Sequence, residues 1–65
     1  MEIQLNGESL NLSQSTLMDL VRHRGLDPGV VVIEHNFKVI DQAAWETTQI
    51  DHGDTIELLS FVGGG

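Results

Sequence analysis

Thr55-Ile56-Glu57-Leu58-Leu59-Ser60-Phe61 alternates in character and runs directly into Val62-Gly63-Gly64-Gly65. Read as a strand, it sets Ile56 and Leu58 on one face with Ser60, and Glu57 on the other with Leu59 and Phe61. If the first pair faces a helix, the second is left outside as an apolar patch. A contiguous patch leading into glycines reads as a docking surface, formed by Leu59, Phe61 and Val62. Each glycine orders only at an entropic cost of about 0.5–1 kcal/mol. Inside a chain such a run is a linker or turn; at an end it is either inert or a thin, unbranched probe for a narrow tunnel. The second use makes the Gly65 carboxylate the working group, with residues 1–62 as a folded domain and 63–65 as a flexible glycine tail.

Upstream, Met1-Glu2-Ile3-Gln4-Leu5 and Ser9-Leu10-Asn11-Leu12-Ser13 both alternate apolar with polar, and Asn6-Gly7 between them signals a type I′ hairpin. Ser15 or Thr16 caps a helix in which Leu17, Leu20 and Val21 recur at helical spacing, and Thr16 with Asp19 resembles a capping box. Arg22, His23 and Arg24 suit the negative end of that helix, and Gly25 its C′ position. Asp27-Pro28-Gly29 predicts a turn. The unbroken run Val30-Val31-Val32-Ile33, followed by Glu34-His35, predicts a strand buried on both faces or nearly so. Asn36 turns the chain into a short strand, Lys38-Val39-Ile40. Asp41 then caps a brief helical turn through Ala43 and Ala44 to Trp45, which packs at the edge of the core. Asp51-His52-Gly53-Asp54 is a polar turn before the closing strand.

This order predicts an α+β domain, a mixed four- to five-stranded sheet with one main helix on one face and the last strand inserted parallel to the first. It is the ubiquitin-like β-grasp arrangement, which by itself does not fix a function.

The 65 residues carry ten acidic and three basic side chains, a formal charge of −7, with one Trp and two Phe. That balance opposes phosphate backbones and offers no stacking platform, so nucleic acid is not the expected partner. It suits solubility and steering toward basic grooves on proteins. A chain this short buries only about 60% of its unfolded surface, which leaves little room for a catalytic cleft. It has no cysteine, so a disulfide and an iron–sulfur cluster are excluded and a reducing, cytoplasmic setting fits. His23, His35 and His52 match no metal-site spacing. No signal-peptide pattern and no membrane span is expected. Ser13, Ser15 and Thr16 near His23 could be imagined as a nucleophile with its base, but capping accounts for them better.

From Val30 onward the sequence resembles the sulfur carrier proteins of thiamine biosynthesis. The likeness lies in the apolar strand ending near Asn36, in Val39-Ile40, Trp45, Gly53-Asp54 and Ile56-Glu57, and in the terminal Phe61-Val62-Gly63-Gly64-Gly65. The family's terminal diglycine is matched by Gly64-Gly65, with Gly63 additional. The resemblance implies a protein co-substrate rather than an enzyme, binding no cofactor of its own. A ubiquitin-activating-like adenylyltransferase would use ATP and Mg²⁺ to convert the Gly65 carboxylate into an acyl-adenylate. Sulfur from a donor such as a cysteine desulfurase would make it a thiocarboxylate, and thiazole synthase would take that sulfur. Gly63 and Gly64 would serve by lacking a Cβ in the tunnel. Three alternatives share parts of this pattern: a molybdopterin synthase small subunit, a protein-conjugating modifier, and an interaction module with an inert tail.

Overall fold

A computed structural model describes residues 1–61. Strands β1 (Glu2–Leu5) and β2 (Glu8–Asn11) form an antiparallel hairpin, Glu2 opposite Asn11 and Leu5 opposite Glu8. Asn6 and Gly7 both have positive φ, 50° and 83°, as a type I′ turn requires. Asn6 has a second task. Its side-chain oxygen accepts from the Leu58 N–H at 2.8 Å, and its amide donates to the Leu58 carbonyl at 3.3 Å. The turn residue therefore extends the pairing between the first strand and the last.

Helix α1 (Leu17–His23) is seven residues long. Thr16 caps it by accepting from the Asp19 N–H at 3.1 Å. Only half of the capping box forms, because the Asp19 carboxylate accepts from the Ser15 hydroxyl at 3.3 Å. The free N–H groups of Leu17 and Met18 donate instead to the carbonyls of Thr48 and Trp45, so the segment after the second hairpin closes the helix start. At the other end Gly25, with φ 69°, is the C′ residue. The Gly25 N–H donates to Arg22 and the Leu26 N–H to Val21, a complete Schellman motif. Leu17, Leu20 and Val21 are fully buried on the sheet side.

Strand β3 (Val31–His35) pairs antiparallel with β4 (Lys38–Ile40) and with β5 (Thr55–Ser60), and β5 pairs parallel with β1. The sheet order is β2-β1-β5-β3-β4, so the last strand lies in the middle. This is the predicted β-grasp, with five strands among the described residues. Ile3, Leu5, Ile33, Ile56 and Leu58 from the sheet meet the helix, Leu12, Ile50 and Trp45 in one core. Trp45 is fully buried, its indole N–H donating to the Ile40 carbonyl at 2.9 Å.

Four local expectations are corrected. Val30 belongs to a 3₁₀ turn, Pro28–Val30, capped by Asp27, rather than to the strand. Val31 and Ile33 are buried while Val32 is only half-buried, because the helix covers one sheet face alone. Asp41 stands at the cap position of the 3₁₀ turn Gln42–Ala44 but its side chain accepts no capping hydrogen bond. Strand β5 ends at Ser60, although the Phe61 N–H still donates to the Val30 carbonyl at 2.7 Å. The proposed boundary after residue 62 and the glycine tail lie outside the described residues.

Candidate functional site

The buried alternation along β5 fixes what its outer side presents. Ile56 and Leu58 are buried, Glu57 is exposed, Leu59 is 49% exposed and Phe61 is 61% exposed. Leu59 and Phe61 thus stand on the uncovered side, as the alternation predicts. Val62, Gly63, Gly64 and Gly65 lie outside the described residues. Because β5 is flanked by β1 and β3, the chain reaches Phe61 from the centre of the sheet, held to its last described residue by backbone pairing.

The neighbouring strands complete this face. Val32 lies directly opposite Leu59, Glu34 opposite Glu57, and Val39 opposite Glu34. Val39 is 62% exposed. The surface beside Leu59 therefore mixes an apolar diagonal over β5, β3 and β4 with two carboxylates. Sequence alone identified the β5 members; Val32 and Val39 needed the register.

A polar cluster that the sequence reading missed pins the start of β5. Asp54 is 8% exposed. One of its oxygens accepts from His35 Nε2 at 2.6 Å and from the Asp51 N–H at 2.8 Å, and the other from the Asn36 amide at 3.1 Å. The Asn36 side-chain oxygen in turn accepts from the Thr55 N–H at 2.9 Å. Burial pushes the Asp54 carboxyl pKa up, but the Asp51 N–H, His35 and Asn36 together outweigh it and hold the value below the usual one. Because the carboxylate only accepts, Nε2 carries the His35 proton. The cluster ties the β3–β4 hairpin to the turn before β5 and so fixes the central strand in register. The available signal was that His35-Asn36 closes one strand and Asp54-Thr55 opens another that becomes its neighbour.

The remaining candidates have local duties. His52 Nδ1 accepts from the Glu2 N–H at 3.1 Å. The Thr16 and Ser15 hydroxyls serve the helix start, and His23 is exposed. Among the described residues no three His, Cys, Asp or Glu side chains are grouped to hold a metal ion. No described helix is long and apolar enough to cross a membrane.

The sequence model of the ThiS family matches residues 3–65, nearly the whole chain. The chain belongs to the ThiS family. The sulfur carrier protein ThiS of Bacillus subtilis is 31% identical over 65 residues, covering 97% of this chain and 98% of that one. The thiamine biosynthesis protein ThiS of Geobacter metallireducens, solved by crystallography, superposes with a TM-score of 0.84 at 26% identity and complete coverage of both chains. A thiazole synthase of Paramagnetospirillum magneticum is 32% identical over 66 residues; this chain spans 20% of that relative's length. The ThiS match includes Gly63 to Gly65, and the β-grasp sheet is the scaffold on which they follow β5.

Proposed function

We propose that this chain is a sulfur carrier protein of thiamine biosynthesis, a co-substrate whose Gly65 carboxylate carries the sulfur. The observation that bears most weight is the end-to-end likeness to a sulfur carrier protein ThiS, together with the glycines that follow the central strand. A carboxylate is a poor electrophile. An adenylyltransferase with ATP and Mg²⁺ converts it into an acyl-adenylate, releasing pyrophosphate, and AMP is then the leaving group. The terminal sulfur of a persulfide, charged by a cysteine desulfurase, attacks the carbonyl and displaces AMP. A thiol then cleaves the S–S bond, leaving a thiocarboxylate on the carrier and a disulfide on the donor side. The carrier needs no cysteine for any of these steps, and it has none. Thiazole synthase is the acceptor, a partner supported by relatives of that name that match this whole chain.

Gly63 and Gly64 contribute by having no Cβ beside the reacting carbonyl, since small displacements of reacting groups cost large factors in rate. Leu59, Phe61 and Val62 hold the enzymes at the base of the tail. The cytoplasm, where thiols stay reduced, is the setting we assign. The test is reconstitution of thiazole formation from the adenylyltransferase, desulfurase, thiazole synthase, ATP and cysteine. Deleting Gly64-Gly65 is expected to abolish product while leaving the Trp45 unfolding curve unchanged. Full product with the deleted chain would refute the proposal.

A further inference from the structure

The chain builds two hairpins on the same type of turn but with different chemistry. The first uses Asn6-Gly7, whereas between β3 and β4 the pair is Asn36-Phe37, with φ 52° and 69°. Asn tolerates that region and Gly is at home there, but a bulky side chain at positive φ is an outlier. Phe37 brings the core little in return, because it is 83% exposed and stands outside the buried cluster. Strain of this kind, held by surrounding structure, gathers at functional positions.

What surrounds Phe37 says what it meets. Val39 follows two residues later, opposite Glu34 on the uncovered face, and leads by way of Val32 to Leu59 and Phe61. Apolar exposure thus continues from the hairpin tip to the last described residue. Glu34 and Glu57 stand directly across from each other within it. None of the three basic side chains shares that face: Arg22 and Arg24 belong to the helix end, and Lys38 lies opposite His35 on the helix side. Like charges so placed oppose folding and favour a partner that supplies cations.

We propose that Phe37 is a binding anchor for thiazole synthase, filling an apolar pocket whose rim carries Arg or Lys opposite Glu34 and Glu57. The inference rests on the carrier reading and adds a second point of attachment at the far end of the sheet from the glycines. Exposed aromatics that enter pockets are the residues that dominate interfaces.

The test compares the full chain with Phe37→Gly, Phe37→Leu and the pair Glu34→Gln/Glu57→Gln, measuring affinity and association rate for thiazole synthase, and in parallel for the adenylyltransferase, at low and high salt. Unfolding is followed in parallel by Trp45 fluorescence. Phe37→Gly is expected to leave stability unchanged or raised, since the turn regains its preferred residue, yet to weaken binding about thirtyfold. Phe37→Leu recovers part of that loss. The double glutamine variant slows association about tenfold at low salt and little at high salt. Wild-type affinity in Phe37→Gly overturns the anchor and leaves the carrier reading intact. A loss seen only toward the adenylyltransferase overturns the assigned partner. A wild-type chain that accepts sulfur but never binds thiazole synthase overturns this inference; one that accepts no sulfur removes the reading beneath it.

Discussion

Asp54→Ala removes the one buried carboxylate among the described residues and strands three donors at once: His35 Nε2, the Asn36 amide and the Asp51 N–H. Each ordinary hydrogen bond contributes about 1 kcal/mol net, and those to a charged acceptor about 1.5–3 kcal/mol. Counting the bonds as partly redundant, because the same groups regain some water, gives a loss of about 3–4 kcal/mol. A domain of this size has on the order of 5 kcal/mol to lose. The loss should therefore bring the urea midpoint down to about a third of the wild-type value, since the midpoint scales with the stability left in water. Urea titration read by Trp45, the one Trp and fully buried, measures it directly. Asp54→Asn keeps the shape and some accepting capacity, so it should lose about half as much. A shift below about 1 kcal/mol for Asp54→Ala would show that the cluster is not what holds β5 against β3.

Acid provides a second view of the same group. The folded pKa of Asp54 lies below its ordinary value of about 3.9, so its stabilisation is complete above that value and is lost as pH falls through the folded value. The stability gap between wild type and Asp54→Asn should accordingly narrow as pH falls below about 4 in urea titrations across pH. Asn6→Gly keeps the positive φ but loses both bonds to Leu58, and should cost about 1–3 kcal/mol. Asn6→Ala adds a strained φ and should cost about 1 kcal/mol more by the same assay. Leu59→Asp and Phe61→Asp, at exposed positions, should lower stability by no more than about 0.5 kcal/mol yet slow adenylation several-fold. An unchanged adenylation rate would remove these two residues from the docking surface.

Local chemistry made much of the fold legible. Asn6-Gly7 gave the first hairpin because few residue pairs occupy two positive-φ positions, and both do. Leu17, Leu20 and Val21 gave the helix face, and the alternation of Ile56 and Leu58 against Glu57 and Leu59 gave the two sides of the central strand. What stayed hidden depends on contacts between distant segments. Asp54 reads as a turn residue until His35 and Asn36 are placed beside it. The run Val30 to Ile33 reads as a wholly buried strand, but a single helix leaves Val32 half-buried, and Asp27 draws Val30 into a 3₁₀ turn. Asn36 announced the second turn, whereas Phe37, which shares its positive φ, carries no turn signal of its own. Of the candidate site, Leu59 and Phe61 were readable from period alone, while Val32, Val39 and the facing glutamates emerged only from the register.

The most direct test of the sulfur carrier account is the intact mass of the protein after incubation with the adenylyltransferase, ATP, Mg²⁺ and a persulfide donor, beside a chain lacking Gly65. The account predicts a gain equal to exchange of one oxygen for sulfur, localised to the C-terminal peptide and absent from the shortened chain. No gain, with the same enzyme shown to be active on another carrier, would contradict it.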